Sequence, residues 1–458
     1  MSTAEIRSAV AAYIGRARWF GGKGRDFEVA SLRRIGTVPG DGPQVTIELA
    51  EVVFADGEVD LYQLPLVAYD EPQGRLEHAL VGHWEGTTFY DALHDREAMA
   101  LWLQAFAGKT DPAAGLLFHR LEGHEIDLTA RSTLFSGEQS NSSVAFGEDA
   151  MMKVFRRVTP GVNPDVQIHD VLTQAGSDHV AALYGWLDTV DEETDSVIQL
   201  AMLQQFLRTA SDGFELAKAS VRNLFAEADL HPHEVGGDFA GESSRLGVAL
   251  AETHATLQTS FGTGAVDTGS VADGMKVRLE AALAVVPELE AYAEPLRAAY
   301  QRLSHLESLV VQRIHGDLHL GQTLRTVKGW KLVDFEGEPA KPLHERMLPD
   351  SVWRDVAGML RSFDYAPAVV EHTMAETDLE GADQRAFRAH QWCERNREAF
   401  LHAYAGRDLT AEDRAALAAY EADKAVYEAV YETRNRPAWV AIPLAGIARI
   451  TASGVSTS

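Results

Sequence analysis

The stretch from Val310 to Pro339, VVQRIHGDLHLGQTLRTVKGWKLVDFEGEP, decides the fold. It opens on an apolar run that reads as a strand, and the loop after it carries His315-Gly316-Asp317. Gln322 follows five residues after Asp317. A second apolar run, Lys331-Leu332-Val333, delivers Asp334 in Asp334-Phe335-Glu336. A strand before each acid, with a side-chain amide between them, parallels the layout of a phosphoryl-transfer site. One carboxylate must orient the acceptor hydroxyl or take its proton, and Asp317 suits that task. A second carboxylate and a neutral oxygen must hold Mg²⁺ against the phosphates of ATP, and Asp334 and Gln322 suit the metal. Turn and capping roles account for any one of these residues; the whole constellation reads as catalytic. His315 reads as support for this loop, and for His319 the sequence gives no decision. Neither matches an H-E-x-x-H metal helix.

Such a site needs a phosphate-covering loop and a strand lysine upstream. Ser136 to Ser142 is a small, polar loop between two strands, and Ser140 and Asn141 are its candidate phosphate contacts; it lacks G-x-G-x-x-G, and a plain turn fits it equally well. Lys153 lies in the following strand and is the candidate for the α/β-phosphates. Asp165 is the available acidic partner, while Gln167 is neutral. The apolar run Leu200 to Leu207 reads as the strand joining the lobes, with Gln204 and Phe206 at the adenine; a plain core strand fits the same run.

The remaining composition narrows the field. The 458 residues hold 41 Lys and Arg against 68 Asp and Glu, a net charge of −27 with His neutral. No basic surplus exists for nucleic acid, and anionic membranes are disfavoured. No apolar run is long enough to span a bilayer, and Met1 to Phe20 has no signal-peptide pattern. The lone Cys393 excludes an intrachain disulfide, which fits a cytoplasmic location.

Along the chain, we expect three regions: a cap over residues 1–98, a strand-rich region over 99–207 and a helical lobe over 208–458. In the cap, Thr46 to Phe54 and Val59 to Val67 read as a hairpin around Ala55-Asp56-Gly57. His83 to Ala100 reads as a connector. Asn141 to Phe146 and Met151 to Arg156 read as a second hairpin around Gly147-Glu148-Asp149. Helical spacing marks Glu215–Ala228, Ser243–Ser260, Asp273–Val285, Pro287–Leu309, Ser351–Arg361, Asp383–Tyr404 and Thr410–Asn435.

HGDLHLGQ with DFEGEP, RDVAGMLRSFDYA (Arg354 to Ala366) and YEADKAVYEAVYETRNRPAW (Tyr420 to Trp439) resemble actinobacterial maltokinases and glucosamine kinases. ARWFGGKGR, KVFRRVTPGVNPD and SDGFELAKASVR extend the resemblance over nearly the whole chain. It implies an α+β, bilobal, aminoglycoside-phosphotransferase-like kinase fold with a β-containing N-terminal cap and a helical C-terminal lobe. It implies Asp317 as catalytic base, Gln322 and Asp334 as magnesium ligands, and Lys153 as the ATP phosphate lysine. Gln167 departs from the acidic residue found in many maltokinases.

The segment QWCERNREAF, Gln391 to Phe400, looks more like the glucosamine-kinase branch. Glu394 has the charge to pair with an ammonium, Trp392 the face to stack on a sugar, and Gln391 sits beside them; a core aromatic fits Trp392 equally well, and a solvated helix face fits Glu394. Glu421 and Lys424, on the last long helix, are candidates for hydroxyl contacts. The stripe Tyr420, Lys424, Tyr427 and Tyr431 reads as packing. The expected activity is ATP-dependent phosphorylation of glucosamine to the 6-phosphate. A maltokinase forming maltose 1-phosphate is the alternative, and a catalytically silent kinase-like binding protein is the third reading.

Overall fold

The computed structural model describes residues 2–108, 115–135, 140–191, 194–227, 230–338, 341–375 and 381–453. The chain divides into two compact units: residues 1–173 with 181–208, and residues 174–180 with 209–458.

The first unit is built on two antiparallel sheets. Its N-terminal helix, Thr3–Arg16, is started by Ser2, whose hydroxyl accepts from Glu5 while the Glu5 carboxylate accepts from the Ser2 amide. Strands Phe27–Thr37, Gln44–Phe54 and Val59–Tyr69 form a meander. The turn at Ala55-Asp56-Gly57 closes its second hairpin, as the Gly57 φ of 88° requires. The expected connector at His83 to Ala100 is instead structured. Strands Leu80–Trp84 and Thr87–Asp91 pair with each other, and helix Arg96–Ala107 follows, capped by Asp95. Glu85 and Gly86, both at positive φ, make that hairpin's tight turn, a signal hidden by the polar composition around it.

The second sheet runs, in spatial order, Leu117–Arg120, Leu183–Asp191, Ser196–Gln205, Ala150–Phe155, Asn141–Phe146 and Ser132–Leu134. The hairpin around Gly147 forms as expected, with Asn141 opposite Phe155 and Ser143 opposite Lys153. Alternation sets its register: Met152 and Val154 are fully buried, and Lys153 between them points to the other face. Helix Pro164–Gln174 packs Ile168 and Leu172 inward.

The second unit is mainly helical. Helices Gly213–Ala226, Ala240–Phe261, Thr268–Leu283, Ala293–Ser304, Val352–Ala375, Ala382–Ala405, Ala411–Asn435 and Ala441–Ser453 surround two small sheets. Pro287–Tyr292 is a 3-10 turn rather than the start of a longer helix, as Pro287 lies in its first turn. The helix at Val352 runs on past Arg361 to Ala375 with Pro367 inside it. No helix among the described residues is long and apolar enough to cross a membrane.

Candidate active site

Strand Leu309–Gln312 ends at the loop that presents Asp317. Four hydrogen bonds set that loop. The backbone N–H groups of His315 and Gly316 each donate to the Asp355 carboxylate at 2.8 Å. His254 Nε2 meets the same carboxylate at 3.0 Å. His315 joins its Nε2 to the Val333 carbonyl at 3.0 Å, which ties the loop to the strand before Asp334. This is the supporting role expected of His315. Gly316 sits at φ 88°, a conformation that L side chains rarely adopt. Gly358 lets helix Val352–Ala375 approach: a Cβ there would lie 2.3 Å from the Leu318 carbonyl oxygen.

Asp317 accepts a hydrogen bond from Lys424 Nζ at 3.0 Å, both side chains about three-quarters buried. Burial acts to raise the carboxyl pKa, but Lys424 above all, with His319 and His315, holds it below the ordinary carboxylate range. Asp317 is therefore ionised at neutral pH, as a proton acceptor must be. Burial conversely acts to lower the Lys424 pKa, and Asp317 and Glu428 raise it overall. We predict that Lys424→Met moves the acidic limb of kcat/KM to higher pH, since Asp317 then ionises later; Lys424→Arg should leave the limb nearly in place. An unmoved limb in the Met variant would separate Lys424 from the base. The same depressed pKa means that the ionised Asp317 favours the folded state above the ordinary carboxylate range. That contribution is lost as pH falls through the lowered value.

Asp334 takes a φ of 67°, rare for a residue with a side chain, and its Oδ2 accepts from Gln322 Nε2 at 3.1 Å. A carboxylate oxygen of Glu336 lies within 4.8 Å of one of Asp334. An all-oxygen set of two carboxylates and an amide, once the Gln322 amide turns its oxygen inward, suits a hard cation such as Mg²⁺. Glu336 was missed from sequence because it stands among the many acids of this chain.

A pocket of about 110 Å³ opens beside Asp317. Glu338 and Asp423 add carboxylates to it, and Arg278, Lys341 and Arg354 add cations. Arg354 donates to Glu338 Oε2 at 2.6 Å and Asp350 Oδ2 at 3.0 Å. Arg278 holds both oxygens of Asp423, at 2.9 and 2.8 Å. Tyr420, Lys424 and Tyr427 line the same pocket at the spacing of one helix face, so the stripe read as packing faces the site. Tyr431, one turn further, is 45% exposed.

The other expected contacts lie elsewhere or are already engaged. Trp392 is 1% exposed and donates its indole N–H to Ser220 Oγ at 3.0 Å, so it has no face for a sugar. The stacking expectation is corrected: the indole belongs to the core, against Phe239 and Phe363. Glu421 is likewise withdrawn from hydroxyl contacts. It is 4% exposed and accepts from Arg397 at 2.9 Å and Arg449 at 3.0 Å. Burial opposes its charge, yet the two arginines bring its pKa down to about 2. Gln391 accepts from Arg388 at 3.0 Å, and Gln391 and Glu394 line an open groove that does not include Asp317. Glu394 keeps free capacity, its side chain 55% exposed and 4.0 Å from Arg449.

In the first unit, Lys153 Nζ donates to Asp165 Oδ2 at 2.8 Å. Asp165 is 1% exposed and also meets His169 Nδ1 at 3.0 Å. Burial pushes the Asp165 pKa up, but Lys153 and His169 together drive it far below the carboxylate range. The acid two residues before Gln167 thus supplies the partner of Lys153. Ser140 is exposed and Asn141 begins its strand, while residues 136–139 of the expected phosphate loop lie outside the described residues. Gln204 stands in strand Ser196–Gln205 opposite Met151. The Phe206 amide donates to the Asp149 carbonyl at 2.9 Å, which leaves the carbonyl of Phe206 as its backbone group for adenine.

Residues 13–95 match the maltokinase N-terminal cap domain. Over 331 residues the chain is 30% identical to the glucosamine kinase of Streptacidiphilus jiangxiensis, covering 67% of this chain and 70% of that protein. It is 27% identical over 335 residues to the glucosamine kinase of Mycolicibacterium smegmatis (strain ATCC 700084 / mc(2)155), covering 70% and 79%. A solved glucosamine kinase in complex with glucosamine, ADP and inorganic phosphate superposes with a TM-score of 0.69 at 23% identity, over 97% of both chains. Another crystal form gives 0.70 at 23% identity. The fold is that of an α+β kinase with an N-terminal β cap and a helical C-terminal region, and its relatives make this a chain of the phosphotransferase class. It belongs to the glucosamine kinase family.

Proposed function

We propose that this protein transfers the γ-phosphoryl group of ATP to the 6-hydroxyl of D-glucosamine. Membership of the glucosamine kinase family carries the reading, and the Asp317 pocket supports it. Asp317 orients the hydroxyl and accepts its proton. Lys424 keeps that carboxylate ionised and fixed. Lys153, held by Asp165, contacts the ATP phosphates. Gln322 and Asp334, with Glu336 beside them, are the residues to hold Mg²⁺, which would neutralise phosphate charge. Arg354, hydrogen-bonded through Nε to the Gly316 carbonyl at 3.3 Å, braces the loop from the pocket side. Closing water out of this pocket limits hydrolysis of ATP.

The ammonium of glucosamine needs a carboxylate within one sugar ring of Asp317. Glu338 meets that need: Arg354 and Lys341 both approach its Oε2, which leaves Oε1 for the substrate. Asp423 has both oxygens committed to Arg278. We expect Glu338→Gln to lower kcat/KM for glucosamine relative to glucose by about tenfold. Glu394→Gln should leave that ratio within about twofold. The opposite pattern would move the ammonium to helix Ala382–Ala405. The activity itself is tested by ATP consumption with Mg²⁺ and, separately, glucosamine, maltose and glucose. Turnover on maltose alone would make the protein a maltokinase.

A further inference from the structure

His319 stands two residues after Asp317, and the roles assigned so far leave it unused. Its Nδ1 accepts the Gly321 N–H at 3.1 Å, at the start of the short turn Leu320–Gln322. Gly321 is what admits the ring. A Cβ on residue 321 would come within 3.0 Å of the imidazole Cε1 and Nδ1. With Nδ1 held as an acceptor, the ring proton sits on Nε2, and the imidazole presents one N–H donor. Among the described residues that nitrogen has no hydrogen-bond partner in the protein. Along the chain His319 stands between Asp317, two residues before it, and Gln322, three residues after it at the end of the same short turn, and the carboxylates of Asp317 and Asp334 both act on its ring. Burial outweighs both acids and keeps the ring neutral.

We propose that His319 Nε2–H donates a hydrogen bond to an oxygen of the phosphoryl group during transfer, which makes it a catalytic residue. The proposal rests on the phosphoryl-transfer reading above. In the step, the bond from the sugar O6 to Pγ forms and the bond from Pγ to the β-phosphate oxygen breaks. The electron pair of the broken bond leaves with ADP, and the hydroxyl proton goes to the Asp317 carboxylate. His319 keeps its own proton throughout. Its task is electrostatic: charge spread over the equatorial phosphoryl oxygens meets a donor already in place. The two acids of the site do different work from this donor. A carboxylate in its position would repel the phosphoryl oxygens, and a free ammonium would compete with Lys424 for Asp317.

The test compares the full-length wild-type chain with His319→Ala and His319→Gln. The Ala variant should lose about 100-fold in kcat, with KM for ATP and for glucosamine changed by less than about threefold. The Gln variant, whose amide N–H reaches the place of Nε2, should recover about tenfold of that loss. Inhibition by ADP with aluminium fluoride, a planar mimic of the phosphoryl in flight, should weaken in Ala by about the factor lost in kcat. Binding of ADP alone should stay as in wild type. An Ala variant with wild-type kcat overturns the proposal, and so does equal weakening of ADP and of ADP with aluminium fluoride. A wild-type chain inactive on glucosamine would instead overturn the acceptor assignment. The aluminium fluoride comparison would still read His319 by itself.

Discussion

Asp317→Asn should abolish sugar phosphorylation, with kcat reduced about 1000-fold. The amide keeps the size of the carboxylate and loses the capacity to take a proton. The loop that carries it does not depend on the Asp317 side chain. Its backbone is held by Asp355 and by the His315 bond to the Val333 carbonyl. The variant is therefore expected to fold and to bind ATP as wild type does, and calorimetry with a non-hydrolysable ATP analogue checks that. Lys424 loses its acceptor charge in the variant, which leaves a cation beside the acceptor site and should raise KM for a charged amine such as glucosamine more than for glucose. Unchanged turnover would remove Asp317 as the proton acceptor. Lost turnover together with lost nucleotide binding would point to a collapsed loop instead.

The arrangement of Asp317, Gln322 and Asp334 was largely legible because it is local. A strand, a loop acid, an amide and a second strand acid lie within one stretch of chain, and the spacing alone brings Gln322 against Asp334. Lys153 and Asp165 are a similar case, since a strand and the helix after it meet with little intervening chain. The rest of the pocket beside Asp317 was not legible in the same way. Arg278 and Asp423 come from two distant helices, Thr268–Leu283 and Ala411–Asn435, and only their packing brings them to Asp317, while Glu338 lies within the opening stretch but stands, like Glu336, among the many acids of this chain. The motif QWCERN attracted attention through its residue types, yet helix geometry divides it. Trp392 and Asn396 turn inward to Ser220 and Ser243, and Gln391 and Glu394 turn to a groove apart from Asp317. A helical face mixed in polarity does not announce which of its polar residues are enclosed.

The fold shows the same division. Hairpins with a glycine turn, at Gly57 and Gly147, could be read directly. The hairpin at Glu85-Gly86 was read as a connector because its strands are short and mix His83, Trp84 and Thr87 without clean alternation. The helix at Val352 was read only as far as Arg361, but it runs on through Pro367, and a proline within a long helix is tolerated where packing on both sides holds the backbone. Phe363, Ala366 and Val370 supply that packing.

Asp355 is the residue whose loss should cost the most stability. It is 1% exposed, and it accepts from two backbone N–H groups and from His254. Burial alone would push its pKa up, but His254 and the Gly316 amide hold it below the usual carboxylate range. Asp355→Ala leaves two buried amides and an imidazole without an acceptor, at an expected cost of about 3–5 kcal/mol. Asp355→Asn retains one acceptor oxygen and should cost less, although its amide N–H groups face donors on every side. Because the folded pKa is depressed, the stabilisation from Asp355 is complete above the ordinary carboxylate range and drains away as pH falls through the lowered value. Urea unfolding of wild type and both variants, repeated from neutral to acidic pH, measures this: the gap between wild type and Asp355→Ala should narrow on acidification. The narrowing matters as much as the size of the gap, since a cavity alone would leave a gap that does not respond to pH. Turnover should fall in both variants even where they remain folded, because His315 and Gly316 aim Asp317 only while Asp355 holds their amides. A loss below about 1 kcal/mol with normal kcat would show that His315 and the Val333 carbonyl suffice to set the loop.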